Sequence, residues 1–141
     1  MNPNHICNYA VLRYLPYPET GEFVNVGVVV HDVGTGWCGH AGDEQDVKRV
    51  TQFFPSVTAE NYLRQRQAMI AELERVCTLV QATPDQRLAK SIFQELVRPR
   101  ESVFRFGEMR TAMTDDAPAL LERLCEQHVK PRQRAAKLMV V

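Results

Sequence analysis

The sequence has no excess of charge of either sign and no long apolar segment. Its 141 residues contain 17 Lys and Arg against 17 Asp and Glu, so the formal net charge is zero. Such a chain lacks the overall positive field that draws proteins to nucleic acid or anionic membranes. No segment approaches the roughly 20 apolar residues of a membrane-spanning helix. The N-terminus also lacks the basic and apolar regions of a secretory signal. We therefore expect a cytoplasmic protein with no membrane segment.

The motifs of common enzymes and metal sites are missing as well. There is no Gly-rich phosphate loop, nucleophile elbow or helix-borne pair of histidines. The cysteines lie far apart, at Cys7, Cys38, Cys77 and Cys125. This spacing favours reduced, mostly buried thiols over a disulfide framework or a zinc cluster. We expect no cofactor, no metal and no catalytic residue.

The length and the 45% hydrophobic content suit one folded domain. We assign residues 1–129 to that domain and residues 130–141 to a C-terminal tail that is basic and then apolar. The tail is either an unstructured end or a segment that docks on the body or on a partner.

Residues 8–33 have the pattern of two apolar strands joined by a loop that contains two prolines and a glycine. Strict alternation in the second strand predicts that Val24, Val26, Val28 and Val30 share one face. Asn25 and Gly27 interrupt the other face, where an asparagine fixes a neighbouring loop or holds a ligand.

The remaining patterns predict one short strand, three helices, a fourth strand and a closing helix. In chain order they cover residues 37–41, 43–54, 58–81, 83–97, 102–113 and 115–128. Asp43, Thr83 and an aspartate at 115 or 116 are the expected helix caps. The predicted fold is α+β, with an antiparallel sheet of about four strands and helices packed mainly on one face.

Two regions, one at the start of the chain and one near its C-terminus, resemble the bacterial and phage family known as domain of unknown function 3037. Residues 9–30 match its Arg- and Pro-containing first strand and its Gly-Glu-Phe-Val-Asn-Val-Gly-Val segment, and residues 96–106 and 114–129 match its later strand and closing helix. The closest agreement is at Tyr9, Arg13, Pro16, Gly21, Glu22, Asn25 and Gly27. Residues 107–110 depart from the family's Ser-Pro-Val-His run, so this chain lacks that histidine. The resemblance implies no activity. It implies a phage, mobile-element or HipA-like-kinase setting, which is a hint of an interaction module.

Polar residues of the paired strands form the best candidate site. Arg13, Glu22, Asn25 and Gly27 lie on the opening hairpin, and Arg100 and Arg105 lie on or near the later strand. One interpretation is a pocket for an anion or nucleotide, in which Arg supplies a bidentate clamp and Asn an oriented amide. The other is a structural ion pair between Arg13 and Glu22.

Three functions follow, in order of preference. The first is a non-enzymatic module that binds or regulates another protein through the sheet edge or the exposed face around the hairpin. The second is nucleic-acid binding through basic groups, chiefly Lys130, Arg132, Arg134 and Lys137 of the tail. The third is a small hydrolase or nuclease with a site at Arg13, Glu22 and Asn25.

Overall fold

A computed structural model describes residues 4–130 and shows an antiparallel sheet with helices on both of its faces. In chain order the elements are β1 (His5–Tyr14), β2 (Val24–Asp32), β3 (Cys38–Gly42), α1 (Asp46–Phe53), α2 (Ala59–Gln81), α3 (Gln86–Val97), β4 (Phe104–Phe106), β5 (Arg110–Thr114) and α4 (Ala117–His128). The α+β class and the antiparallel sheet are confirmed.

β1 is the central strand, and the other strands assemble on its two edges. It pairs with β2 along one edge, and β2 in turn pairs with β3. On the other edge, the C-terminal end of β1 pairs with β4 and its N-terminal end pairs with β5. The predicted fourth strand is therefore two strands, which makes five within residues 4–130. Gly107 follows β4 directly, in the segment that separates it from β5, and its backbone N–H donates to the carbonyl of Val11 at 2.8 Å.

A β-bulge in β2 changes which side chains share a face. Leu12 pairs with Gly27, but the next residue, Arg13, pairs with Asn25, so Val26 is an extra residue without a partner on β1. Val24 and Val26 consequently join the hydrophobic core on one face, whereas Val28 and Val30 join the core on the other. The prediction that these four valines share one face is wrong, because strict alternation does not survive a bulge.

Three helices cover one face of the sheet and the last helix covers the other. The larger core, beneath α1, α2 and α3, contains the fully buried Tyr14, Tyr62 and Phe93. The smaller core lies where α4 packs on β2 through Leu120, Leu121 and Leu124, among others. The two faces are termed the three-helix face and the α4 face below. No helix within residues 4–130 is long and apolar enough to cross a membrane.

Side-chain caps account for where three of the helices begin. Thr58 accepts from the N–H of Asn61, Asp85 from those of Arg87 and Leu88, and Asp116 from that of Ala119. Asp116 and the α2 start were predicted. The other two cap predictions were wrong. Asp85, not Thr83, caps α3, and Gln45, not Asp43, occupies the cap position of α1.

Candidate functional site

The opening hairpin and the C-terminal end of α4 enclose a cleft of about 480 Å³ on the α4 face. The cleft exists because α4 covers only part of this face and ends at His128, beside the bulged part of β2. Its lining consists of Tyr9, Val11, Arg13, Asn25, Gly107, Glu108, Arg110 and His128. It is termed the arginine cleft.

Strand pairing places two arginines and an asparagine in a row across the sheet. Arg13 on β1 lies directly opposite Asn25 on β2 and directly opposite Arg105 on β4. Directly opposed residues of antiparallel strands have their Cβ atoms about 5 Å apart, and like charges in that position destabilise a sheet. Within residues 4–130, neither arginine has a carboxylate within ion-pair distance. The row is therefore locally positive.

Arg13 is held in place by packing and has no described hydrogen bond. Its guanidinium carbon lies 4.3 Å from the centre of the Phe23 ring, a cation–π contact. A Cβ at position 107 would lie 3.0 Å from the same guanidinium, so any larger residue there would require the Arg13 side chain to shift. Its Nε is buried and lacks a hydrogen-bond partner among the described residues. A guanidinium in this state can still bind an anion.

Asn25 has one half of its amide satisfied and the other half free. Its Nδ2 donates to the backbone carbonyl of His128 at 3.0 Å, and because a carbonyl can only accept, this bond fixes the orientation of the amide. Its Oδ1 is buried and has no partner among the described residues. The cleft thus combines an unpaired donor on Arg13 with an unpaired acceptor on Asn25.

The other residues of the predicted hairpin site lie elsewhere. Glu22 is exposed in the loop and forms no ion pair with Arg13, so the expected structural pair between them is not present in the described structure. Gly27 lies on the three-helix face, where a Cβ would come within 3.2 Å of the Ala41 carbonyl. Of the hairpin set, the structure brings together only Arg13 and Asn25.

The basic residues outside the hairpin are also separated. Arg105 joins the row opposite Arg13, and its Nε donates to the Ser102 carbonyl at 3.1 Å. Arg100 is held at the end of α3 by Glu95, to whose backbone carbonyl it donates at 3.0 Å. Lys130 donates to Glu126 at 3.1 Å. The tail residues Arg132, Arg134 and Lys137 lie outside the described residues.

One polar pair that the sequence interpretation missed links β1 to the turn after β2. Asp32 is 2% exposed. Its Oδ1 accepts from the N–H groups of Gly34 and Thr35, at 2.9 and 3.1 Å, and its Oδ2 lies 3.2 Å from His5 Nδ1. The Asp-x-Gly turn was visible in the sequence, but His5 precedes the predicted strand, so nothing in the pattern connected it to Asp32. All polar atoms of this carboxylate are used in holding the turn, so its role is structural.

A second buried carboxylate lies on the three-helix face. Asp46 is 1% exposed, accepts from the Tyr62 hydroxyl at 2.6 Å and forms an ion pair with Arg66. Burial and the neighbouring Asp46 raise the pKa of Tyr62, so the hydroxyl stays protonated and keeps donating. Asp46 and Arg66 also line a largely apolar cavity of about 300 Å³ beneath α2. This paired network joins α1 to α2.

No metal centre is apparent in the same part of the chain. Between residues 4 and 130, no three side chains among the histidines, cysteines and acids are grouped so that they could hold a metal ion. The four cysteines are all buried and none forms a disulfide.

Comparison with known proteins identifies the family and nothing further. The family model described as "Protein of unknown function (DUF3037)" matches residues 9–129. The chain belongs to this family. The predicted resemblance is thereby confirmed, and the whole arginine cleft lies inside the region that the DUF3037 model matches. No curated protein and no solved structure matches the chain.

Proposed function

We propose that this DUF3037 protein is a non-enzymatic binding module whose arginine cleft recognises an acidic segment of a partner protein. The observation that supports this most is the state of Arg13, a packed guanidinium with an arginine opposite it and no described anion. Leaving a partly buried charge without a partner costs free energy, and a cation–π contact returns only about 0.5–2 kcal/mol. A bound carboxylate would remove that cost.

The unpaired acceptor on Asn25 favours a peptide over nucleic acid. An acidic peptide offers a carboxylate for Arg13 and a neighbouring backbone N–H for Asn25 Oδ1, whereas a phosphodiester offers acceptors alone. Glu108 also lines the cleft, and its carboxylate would repel a polyphosphate chain more strongly than a peptide that brings a single carboxylate. Nucleic-acid binding by Lys130, Arg132, Arg134 and Lys137 gains no support from the described residues.

An enzymatic role at this site is the weaker proposal. A hydrolase or nuclease built on Arg13, Glu22 and Asn25 needs the Glu22 carboxylate beside the substrate, but Glu22 is exposed in the loop and does not line the cleft. We also propose a cytoplasmic location, which rests on four cysteines that form no disulfide. The phage or kinase-associated setting stays a hypothesis of the family resemblance.

The test is a comparative affinity purification followed by a direct binding measurement. The baits are the tagged full-length chain and its Arg13→Gln variant, each incubated at physiological salt with lysate of the native host. Arg87→Gln is the matched control, because Arg87 is an exposed arginine far from the cleft. We expect a partner that the wild type and Arg87→Gln retain in stoichiometric amount and that Arg13→Gln loses. Calorimetry with that partner's acidic segments should show a loss of about 10–100-fold in affinity for Arg13→Gln, the usual range for a hydrogen bond to a charged group.

Two results would count against the proposal. One is a partner that Arg13→Gln and Asn25→Ala retain as well as the wild type does. The other is tight, steeply salt-dependent binding of a random-sequence oligonucleotide that Arg13→Gln abolishes, since this would establish the nucleic-acid alternative.

A further inference from the structure

Two cysteines from different elements meet in the interior of the three-helix face. Cys38 begins β3 and Cys77 lies in the last two turns of α2, and their sulfur atoms are 3.0 Å apart. The two residues are 3% and 5% exposed. A disulfide bond is about 2.05 Å long, so the sulfurs need to approach by only about 1 Å to form one.

We propose that Cys38 and Cys77 are an oxidation site that closes into a disulfide when a small hydroperoxide, such as hydrogen peroxide, enters the protein. The site lies on the opposite face from the arginine cleft and does not depend on the proposed function. Its reduced form is the one described, and its oxidised form covalently joins β3 to α2.

The hydrogen bond between the two sulfurs assigns each a role in the reaction. The thiol of Cys38 donates to the sulfur of Cys77, which raises the pKa of Cys38 and lowers that of Cys77. A thiolate attacks a peroxide, and a thiol does not. Cys77 is therefore the first to react and Cys38 is the resolving residue.

The reaction proceeds in two balanced steps. The Cys77 thiolate attacks one oxygen of hydrogen peroxide, the O–O bond breaks, hydroxide leaves and a sulfenic acid forms. Cys38 then gives up its proton and attacks the Cys77 sulfur, so that the S–S bond forms, the S–O bond breaks and the second oxygen leaves as water. In total, two thiols and one hydrogen peroxide give one disulfide and two waters.

The apolar cavity beneath α2 is lined by near neighbours of both cysteines but by neither cysteine itself. His40 lies two residues after Cys38 on the same face of β3, and Leu73 lies one helical turn before Cys77 on the same side of α2. Both His40 and Leu73 line this cavity of about 300 Å³. A peroxide in the cavity is therefore about one helical turn from the sulfur pair.

The other two cysteines serve as internal controls. Cys7 and Cys125 are also buried, but they belong to the core of the α4 face and have no sulfur contact within residues 4–130. Burial and the nearby Asp32 raise the pKa of Cys7 to about 11, and burial raises that of Cys125. The proposal therefore predicts oxidation at one pair and not at the other two thiols.

The test is peroxide treatment of the native full-length chain, followed by alkylation and non-reducing peptide mapping. We expect a loss of about 2 Da in intact mass, the mass of two hydrogens, and one linked peptide pair holding Cys38 and Cys77. The bond spans 39 positions of the chain. Because it restricts the unfolded state, Tm should rise by about 10 °C and return on treatment with a dithiol reductant.

Single variants separate the two roles. In Cys38→Ser the resolving thiol is gone but a hydroxyl remains to donate to Cys77, so we expect the Cys77 sulfenic acid to accumulate and to react with dimedone. In Cys77→Ala neither the link nor dimedone labelling at Cys38 should appear. The proposal is overturned if the wild type forms links through Cys7 or Cys125, if it gives sulfinic acid at Cys77 without a link, or if the native pair stays reduced under conditions that oxidise the urea-unfolded chain.

Discussion

Two polar clusters, one on each side of the sheet, handle buried polar groups in opposite ways. The contrast holds between these clusters and not between the faces as wholes, since the buried Nδ1 of His31 on the three-helix face also has no partner in the described structure. On the three-helix face, Asp46 is almost completely buried and both of its oxygens have partners, Tyr62 and Arg66. On the α4 face, Arg13 and Asn25 are packed in place but each keeps a buried polar atom without a partner in the described structure. The first arrangement is what a stabilising core requires. The second leaves binding capacity unused, which is the condition expected of a recognition site.

The bulge at Val26 is what brings this difference about. If the same residues of β2 alternated regularly, Asn25 would share the face of Gly27, which lies beneath α2. The bulge instead places Val26 and Gly27 both on the three-helix face and turns Asn25 to the α4 face opposite Arg13. The offset of one residue in the pairing therefore puts Val26 in the larger core and Asn25 in the cleft.

The largest expected effect is on the three-helix face. Phe93 is fully buried in its core, so Phe93→Ala should lower the free energy of unfolding by about 3–5 kcal/mol. Leu124→Ala in the thinner α4 layer should cost about 2–3 kcal/mol. Urea denaturation of both variants measures the two losses. Equal or reversed losses would mean that the smaller core is as important to stability as the larger one.

The second-largest loss of stability is expected for variants of the Asp46 network. Asp46→Ala leaves the Arg66 charge and the Tyr62 hydroxyl without their acceptor, and we expect a loss of about 3 kcal/mol. Tyr62→Phe removes one hydrogen bond and keeps the ring, so about 1 kcal/mol is expected. Both values come from urea titrations at neutral pH. A loss under 1 kcal/mol for Asp46→Ala would show that the network contributes little.

Acid should weaken the three-helix face through His31. This imidazole lies against the Phe93 ring, with centroids 5.4 Å apart, and burial lowers its pKa below 6.5. At pH values between the folded and unfolded pKa of His31, the unfolded chain binds more protons than the folded one. The free energy of unfolding therefore falls as the pH drops below about 6.5, by at most about 1.4 kcal/mol per pH unit for one proton. Urea midpoints between pH 7.5 and 5 measure this slope, and His31→Leu should reduce it. His40, whose pKa burial also lowers, should keep a remaining slope. An unchanged slope in His31→Leu would assign the effect to other groups.

The smallest effects on stability should be those in the arginine cleft. Asn25→Ala removes one hydrogen bond to the end of α4, and about 1 kcal/mol is expected. Arg13→Gln loses the contact with Phe23 but also the repulsion from Arg105, so the change should stay within about 0.5 kcal/mol. Thermal melts with matched buffers compare the two. If Arg13→Gln lowered the free energy of unfolding by more than about 2 kcal/mol, Arg13 would be a structural residue. The contrast between the Asp46 cluster and the arginine cleft would then disappear.

Local patterns predicted most of the elements, and the errors arose where distant strands meet. The hairpin, the range of α2 and the closing helix with its Asp116 cap follow from periodicity and capping alone. The bulge could not be predicted, because a one-residue offset is decided by pairing between β1 and β2 and leaves no mark in the order of valines.

The same limit applies to the sites. Arg13, Asn25 and Arg105 were among the predicted residues because paired strands bring polar groups together. Glu22 and Gly27 were grouped with them as residues of the hairpin, and Arg100 as a residue beside the later strand. Position next to a strand carries no information on loop direction or face. His5 with Asp32, and Cys38 with Cys77, are contacts over 27 and 39 positions that no local pattern encodes.

The central position of β1 has a consequence for synthesis on the ribosome. Its edge toward β2 is covered soon after translation of the hairpin, but its other edge stays unpaired until β4 and β5 have been made. Asn8, for example, contacts Thr111, which lies 103 positions later in the chain. At translation rates of about 5–20 residues per second, the nascent chain presents that bare edge for roughly 5–20 s. An open strand edge is a template for pairing with other chains, so chains interrupted before β5 should need a chaperone to stay dispersed.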